Sequence, residues 1–207
     1  MTIKTIFFDF GGVIIKAPHH KWVNRWKKVL GIKDQPEILE MLENPQDSQL
    51  VKDICLGKIP EDHIWHIMAE KWHIKPALIE QIRRRIFSKR QLNQPIVKFM
   101  GELNGQYPIA ILSNAGDKAR RLMEDTYQLD RIVDDIIISA EEGVIKPDPR
   151  IFEIAMARMD AEPETSLLLD DTLENVSAAR AFGMQAIQFI NHQQAIQAVR
   201  DRLNERA

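Results

Sequence analysis

Five short apolar runs limit what this 207-residue chain can fold into. They are Ile3–Asp9, Ile109–Ser113, Ile136–Ser139, Leu167–Asp170 and Ala186–Ile190. Each is rich in β-branched or aliphatic residues and too short for a buried helix, so each reads as a strand. The first breaks at Gly11-Gly12, a turn signal. Amphipathic helical stretches at Pro95–Asn104, Lys118–Tyr127, Arg150–Met159 and Glu174–Phe182 lie before or between the later four. Apolar runs alternating with such helices imply βαβ units and a parallel sheet covered on both faces.

One interval breaks the alternation. Between His19 and about Asn93 no strong strand run occurs, and the pattern predicts helices at His19–Leu30, Pro36–Glu43, Gln46–Leu56, Glu61–Trp72 and Pro76–Phe87. The spacings Trp22/Trp26 and Trp65/Trp72 stack side chains on one helix face. The expected organisation is an α/β core domain of residues 1–17 and 94–207 with an all-helical domain, 18–93, inserted into it. The chain is long enough for both.

Composition removes several function classes. A formal net charge of −2 provides no basic field for nucleic acid or an anionic membrane. No apolar stretch approaches the roughly 20 residues that span a bilayer, and the N-terminal run lacks a cationic region and a cleavage site. The single cysteine, Cys55, excludes an internal disulfide framework and fits a reducing, cytoplasmic setting. The expected partner is a small molecule.

In an open parallel sheet, ligands bind beyond the carboxyl ends of the strands, where strand order reverses. The residues there are Asp9, Ser113, Asn114, Asp170 and Asp171. Carboxylates brought together from distant segments repel unless a cation sits between them, and hard oxygen donors select Mg²⁺. Lys146 lies in Gly143-Val144-Ile145-Lys146-Pro147-Asp148-Pro149, where the prolines restrict the loop and the next helix starts at about Pro149. A carboxylate nucleophile, a metal site, a hydroxyl, an amide and an aimed lysine suit phosphoryl transfer, which depends on positioning and charge neutralisation.

Four blocks in order carry a family resemblance. They are Phe8-Asp9-Phe10-Gly11-Gly12-Val13, Leu112-Ser113-Asn114, Ile145 to Phe152 with Lys146-Pro147-Asp148-Pro149, and Leu169-Asp170-Asp171-Thr172-Leu173-Glu174-Asn175-Val176 followed by Ala178-Ala179-Arg180 and Gly183-Met184. The chain resembles the haloacid dehalogenase superfamily, in its subclass with a small helical cap. The resemblance implies a Rossmann-like core and the following roles. Asp9 attacks phosphorus and carries an aspartyl-phosphate. Ser113 hydrogen-bonds a phosphoryl oxygen, with Asn114 and the Gly11-Gly12 backbone nearby. Lys146 neutralises the phosphoryl group and Asp9. Mg²⁺ is held by Asp9, the Gly11 carbonyl and Asp171, with Asp170 supporting the metal shell. The expected reaction is Mg²⁺-dependent hydrolysis of a small phosphomonoester, such as a sugar phosphate.

Gly11 departs from the family pattern, which places a second aspartate there to protonate the leaving oxygen. Acid–base catalysis of that kind is typically worth roughly 10²–10⁴ in rate, so substrates with good leaving groups are expected. Two other readings are open: a 2-haloacid dehalogenase using Asp9 without metal, against which stand the Asp170-Asp171 pair and Gly11, where such enzymes usually carry a larger residue, and a non-catalytic relative that binds phosphate or a protein, which Gly11 supports. His19 and His20 read as an ordinary helix start rather than a substitute acid. His63, His66, Glu70 and His73 read as a solvated helix face rather than a zinc site, and Arg83-Arg84-Arg85 with Lys89-Arg90 as another.

Overall fold

A computed structural model describes residues 2–16, 48–70, 75, 77–79 and 91–204. Its centre is a five-stranded parallel sheet: β1 (Thr5–Phe8), β2 (Ile109–Ser113), β3 (Asp135–Ile138), β4 (Ser166–Asp170) and β5 (Gln185–Gln188). The spatial order is β3-β2-β1-β4-β5, with all four pairings parallel. The chain winds outward from β1 to β3, then returns to lay β4 on the other side of β1. The reversal falls between β1 and β4, which is where a crevice opens above such a sheet.

The continuous apolar character of the strands follows from burial on both faces, and side-chain alternation sorts the residues. Ile6, Phe8, Ile109, Ile111, Ile136, Ile138, Leu167 and Leu169 join one core layer. Phe7, Ala110, Leu112, Ile137 and Leu168 join the opposite one. The first layer is closed by α3 (Gln94–Leu103), through Ile96, Phe99 and Met100, and by α8 (His192–Asn204), through Ala195 and Val199. The second is closed by α6 (Pro149–Met159) and α7 (Leu173–Phe182). The start of α6 is fixed by Pro149 at its first position and by the Asp148 side chain, which accepts the Arg150 N–H.

Three sequence expectations shift. The helix expected over Lys118–Tyr127 is present over 119–126 but changes type, starting as one α-helical turn, α4 (Ala119–Arg121), and continuing as a π-helix, Leu122–Thr126. The third strand stops at Ile138 and Ser139 opens a short helix, α5 (Ser139–Glu142). The C-terminal helix α8 was not foreseen, because its sequence is polar apart from the few residues that face inward.

Between β1 and α3 the described residues include α1 (Gln49–Cys55) and α2 (His63–Glu70), which lie within the helices expected over Gln46–Leu56 and Glu61–Trp72. Residues 77–79, within the helix expected over Pro76–Phe87, are helical, with Ile79 buried; the rest of that helix, the helices expected over His19–Leu30 and Pro36–Glu43, His19 and His20, Trp22, Trp26, Trp72, His73 and the basic run Arg83 to Arg90 lie outside the described residues. Where the chain leaves and re-enters the core, Ile15 and Leu92 form an antiparallel bridge, and the Asn93 side chain donates to the Val13 carbonyl. Among the described residues no helix is long and apolar enough to cross a membrane.

Candidate active site

The parallel register delivers the site. Phe8 pairs with Leu169 and with Ile111, so Asp9, the next residue, emerges beside the ends of β4 and β2. The Asp9 N–H still donates to the Leu169 carbonyl, which holds its backbone in line with the sheet. Asp170 ends β4 and Ser113 ends β2, both buried. The fold thus brings Asp9, Asp170 and Asp171 together at the crevice, with Ser113 at the end of the neighbouring strand β2.

Lys146 reaches this point from the loop before α6. Its ammonium is buried and donates to Asp9 Oδ1 at 2.8 Å, Asp170 Oδ2 at 2.7 Å and the Leu112 carbonyl at 2.7 Å. An ammonium has three N–H donors, and all three are used. Asn114 fixes the backbone that carries it: its Nδ2 donates to the Lys146 carbonyl, and its Oδ1 accepts from the Lys146 N–H, both at 2.7 Å. The family resemblance suggested a phosphate contact for Asn114; in the structure one amide N–H and the amide oxygen hold the Lys146 backbone.

The two neighbouring aspartates are unequal. Asp170 is fully buried and accepts from Lys146, from the Thr172 N–H at 2.9 Å and from Asn175 Nδ2 at 3.1 Å on each oxygen. Asp171 is less engaged, accepting a long bond of 3.3 Å from the Thr172 hydroxyl. Asp170 is therefore a braced carboxylate and Asp171 the more available donor. The sequence carries a signal for Asn175, since a polar residue one helical turn after the Asp170-Asp171 pair faces back toward that pair.

Carboxylate oxygens of Asp9, Asp170 and Asp171 lie within 4.8 Å of one another. Burial raises the Asp9 carboxyl to about 7; Lys146 pulls it down, and the charges of Asp170 and Asp171 push it up. Asp171 is likewise raised by burial and then by Asp170, against the Thr172 hydrogen bond and Lys146. Burial pulls the Lys146 ammonium down, but Asp9 and Asp170 outweigh it and hold the group charged. Three carboxylates against one ammonium leave a nominal charge of −2 around hard oxygen donors. That donor set fits a divalent cation such as Mg²⁺.

The two glycines after Asp9 differ. Gly12 has φ of +77°, and a Cβ there would lie 1.9 Å from Asp171 Oδ2, so only glycine lets the carboxylate approach. At Gly11 a Cβ would meet nothing within 4 Å. The position expected to hold an acid is open.

The model of the haloacid dehalogenase-like hydrolases matches residues 3–183, from before β1 to the end of α7. The chain belongs to this family. It is a hydrolase whose relatives include phosphatases. It is 27 % identical over 185 residues to a sesquiterpene phosphatase of Aspergillus oryzae, covering 88 % of each chain. It is 22 % identical over 192 residues to a D-ribitol-5-phosphate phosphatase of Bacteroides thetaiotaomicron, covering 90 % of this chain and 91 % of that one. Two longer relatives, acyl-CoA dehydrogenase family member 10 and bifunctional epoxide hydrolase 2 of Mus musculus, are matched over only 18 % and 21 % of their length. A haloacid dehalogenase family enzyme of Bacteroides thetaiotaomicron, solved with magnesium and inorganic phosphate, shares the fold with a TM-score of 0.72 at 18 % identity, over 90 % of this chain and 93 % of that one.

Proposed function

We propose that this hydrolase is a Mg²⁺-dependent phosphomonoesterase that acts on a small phosphorylated metabolite through an aspartyl-phosphate on Asp9. The observation that carries the reading is the buried cluster of Asp9, Asp170 and Asp171 around Lys146, with its excess of two negative charges. Such a cluster costs folding energy unless something cationic is meant to join it.

Asp9 Oδ1 is engaged by Lys146, which orients the carboxylate and leaves Oδ2 to attack. Attack forms an O–P bond to Asp9 while the P–O bond to the leaving group breaks, and the departing oxygen takes its proton from solvent because Gly11 offers none. Water then cleaves the acyl phosphate, releasing inorganic phosphate and restoring Asp9. Ser113 at the end of β2 donates to a phosphoryl oxygen, and Lys146 offsets charge as it builds there. Mg²⁺, held by Asp9, Asp171 and the Gly11 carbonyl, would supply electrostatic stabilisation of the phosphoryl oxygens. Residues 18–93 serve as the cap that covers the substrate and excludes stray water. The phosphatase relatives support the substrate class.

Gly11 itself counts against the dehalogenase reading, because such enzymes usually carry a larger residue there. Displacement of halide by Asp9 gains nothing from a second and third carboxylate, so the cluster favours phosphoryl transfer. The deciding experiment is hydrolysis of an aryl phosphate and a panel of sugar phosphates, with and without Mg²⁺, by wild type and Asp9→Asn. Mg²⁺-dependent turnover abolished by the substitution supports the proposal. Metal-independent halide release from a 2-haloacid, with no phosphate release, overturns it.

A further inference from the structure

The loop that follows Ser113 is gripped from two sides. Asn114 holds Lys146, and the next residue, Ala115, donates its N–H to the hydroxyl of Ser139 at 3.0 Å. Ser139 is fully buried at the junction of β3 and α5. Its own proton goes elsewhere, to the Cys55 carbonyl at 2.6 Å. Cys55 is the last residue of α1, so this carbonyl is one of the helix-end acceptors that has no partner within the helix. One hydroxyl therefore ties the phosphate-side loop of the core to the inserted helical segment.

The contact is built at backbone range. Gly57 has φ of +69° and packs on the Ala140 carbonyl so closely that a Cβ would stand 2.2 Å from it. At Gly116 a Cβ would meet Ile54 Cγ2 at 2.9 Å and Glu61 Oε2 at 3.1 Å. Beyond these, the Glu61 N–H donates to Asp117 Oδ1 at 2.9 Å, and Lys118 pairs with Asp62. Residues 54–62 are thus seated on the two core loops that follow β2 and β3.

A second acceptor stands within reach of the Ser139 proton: the Ala115 carbonyl at 3.3 Å. If residues 54–62 lift away, the hydroxyl can turn to it and no buried donor is orphaned. We infer that Ser139 is a positioning residue that couples the seating of residues 54–62 to the geometry of the Ser113–Ala115 loop. The inference rests on the reading of Ser113 as a phosphoryl contact. Its consequence is that substrate affinity, more than turnover, senses whether the inserted segment is seated.

The test compares wild type, Ser139→Ala, Ser139→Thr and Gly57→Ala, each as the full chain. With an aryl phosphate and Mg²⁺, Ser139→Ala is expected to raise KM about tenfold, the equivalent of one buried hydrogen bond, with kcat within about threefold. Ser139→Thr, which keeps the hydroxyl, returns KM toward wild type. Gly57→Ala unseats the segment without touching Ser139 and raises KM similarly. Hydrogen exchange without substrate is expected to quicken in both 54–62 and 113–118 for Ser139→Ala and for Gly57→Ala. Lower kcat with unchanged KM, the mark of a merely structural loss, overturns the inference. So does faster exchange confined to 54–62 in Gly57→Ala. Absence of hydrolysis by the wild type counts against the phosphatase reading instead, and the exchange comparison still decides the role of Ser139.

Discussion

Lys146→Met removes the only cation described within the cluster and keeps nearly the same side-chain volume. The lysine side chain is 1 % exposed, and its partners Asp9 and Asp170 are 10 % and 0 % exposed. Each contact, at 2.7–2.8 Å, is worth about 6 kcal/mol at an effective dielectric of about 20 before desolvation is charged against it. Removing one partner of a buried pair costs about 3–5 kcal/mol net, because the other charge stays buried. Against a total stability of about 5–15 kcal/mol this is a large fraction. In urea, with a slope of about 2–3 kcal/mol/M, the unfolding midpoint of the metal-free protein should fall by roughly 1–2 M. If stranded charge is the cause, adding Asp9→Asn to Lys146→Met should recover much of the loss. Activity should drop by about 10²–10³, the usual effect of removing one preorganised charge. A midpoint shift under about 0.3 M at pH 7.5, or no recovery in the double variant, would refute the reasoning.

Three further outcomes are expected. Gly12→Ala should lower Mg²⁺ affinity and activity together, since its methyl must displace the Asp171 carboxylate and adopt a positive φ; titration calorimetry with Mg²⁺ measures this. Gly11→Asp should fold normally, because the position is open, and should speed hydrolysis of alkyl phosphates more than aryl phosphates; equal acceleration of both would count against the missing-acid argument. The third concerns pH. The Asp9 carboxyl stands at about 7 in the fold against 3.8 in an unfolded chain, so the native state binds more protons between those values, and this group's stabilising contribution is lost as pH rises through that window. Mg²⁺ competes with that proton, so its lift of Tm should be greater at pH 8 than at pH 5. Equal lifts would show that Asp9 is not a ligand.

The sheet was legible because burial on both faces leaves unbroken apolar runs, and the candidate site because Asp9 directly follows β1 while Ser113 and Asp170 end β2 and β4. What the sequence concealed lay in the partners. Nothing in the spacing of Asn114 reveals that both ends of its amide clamp Lys146, a residue 32 positions away. Asp170 and Asp171 read alike until Asn175 and Lys146 are seen to saturate the first and leave the second. Ser139 read as the last residue of a strand, because its hydroxyl contacts come from Ala115 and Cys55, 24 and 84 positions away. The π-helix after α4 blurs the 3.6-residue period there, whereas α8 went unread although Ala195, Ile196, Val199 and Leu203 recur at helical spacing, because polar residues dominate the segment.

The placement of β1 also shapes how the molecule is made. It is the central strand, its four residues Thr5–Phe8 wholly buried, yet both of its neighbours lie far along the chain. The bond from Lys146 to Asp9 spans 137 positions. On the ribosome, β1 emerges well before β2 and β4, and it must wait with its phenylalanines exposed and both edges unpaired. Long-range parallel pairing of this kind is slow and open to aggregation. Yield of the soluble protein should therefore depend on synthesis rate and on chaperones that shelter an apolar strand, even for variants whose finished fold is as stable as the original.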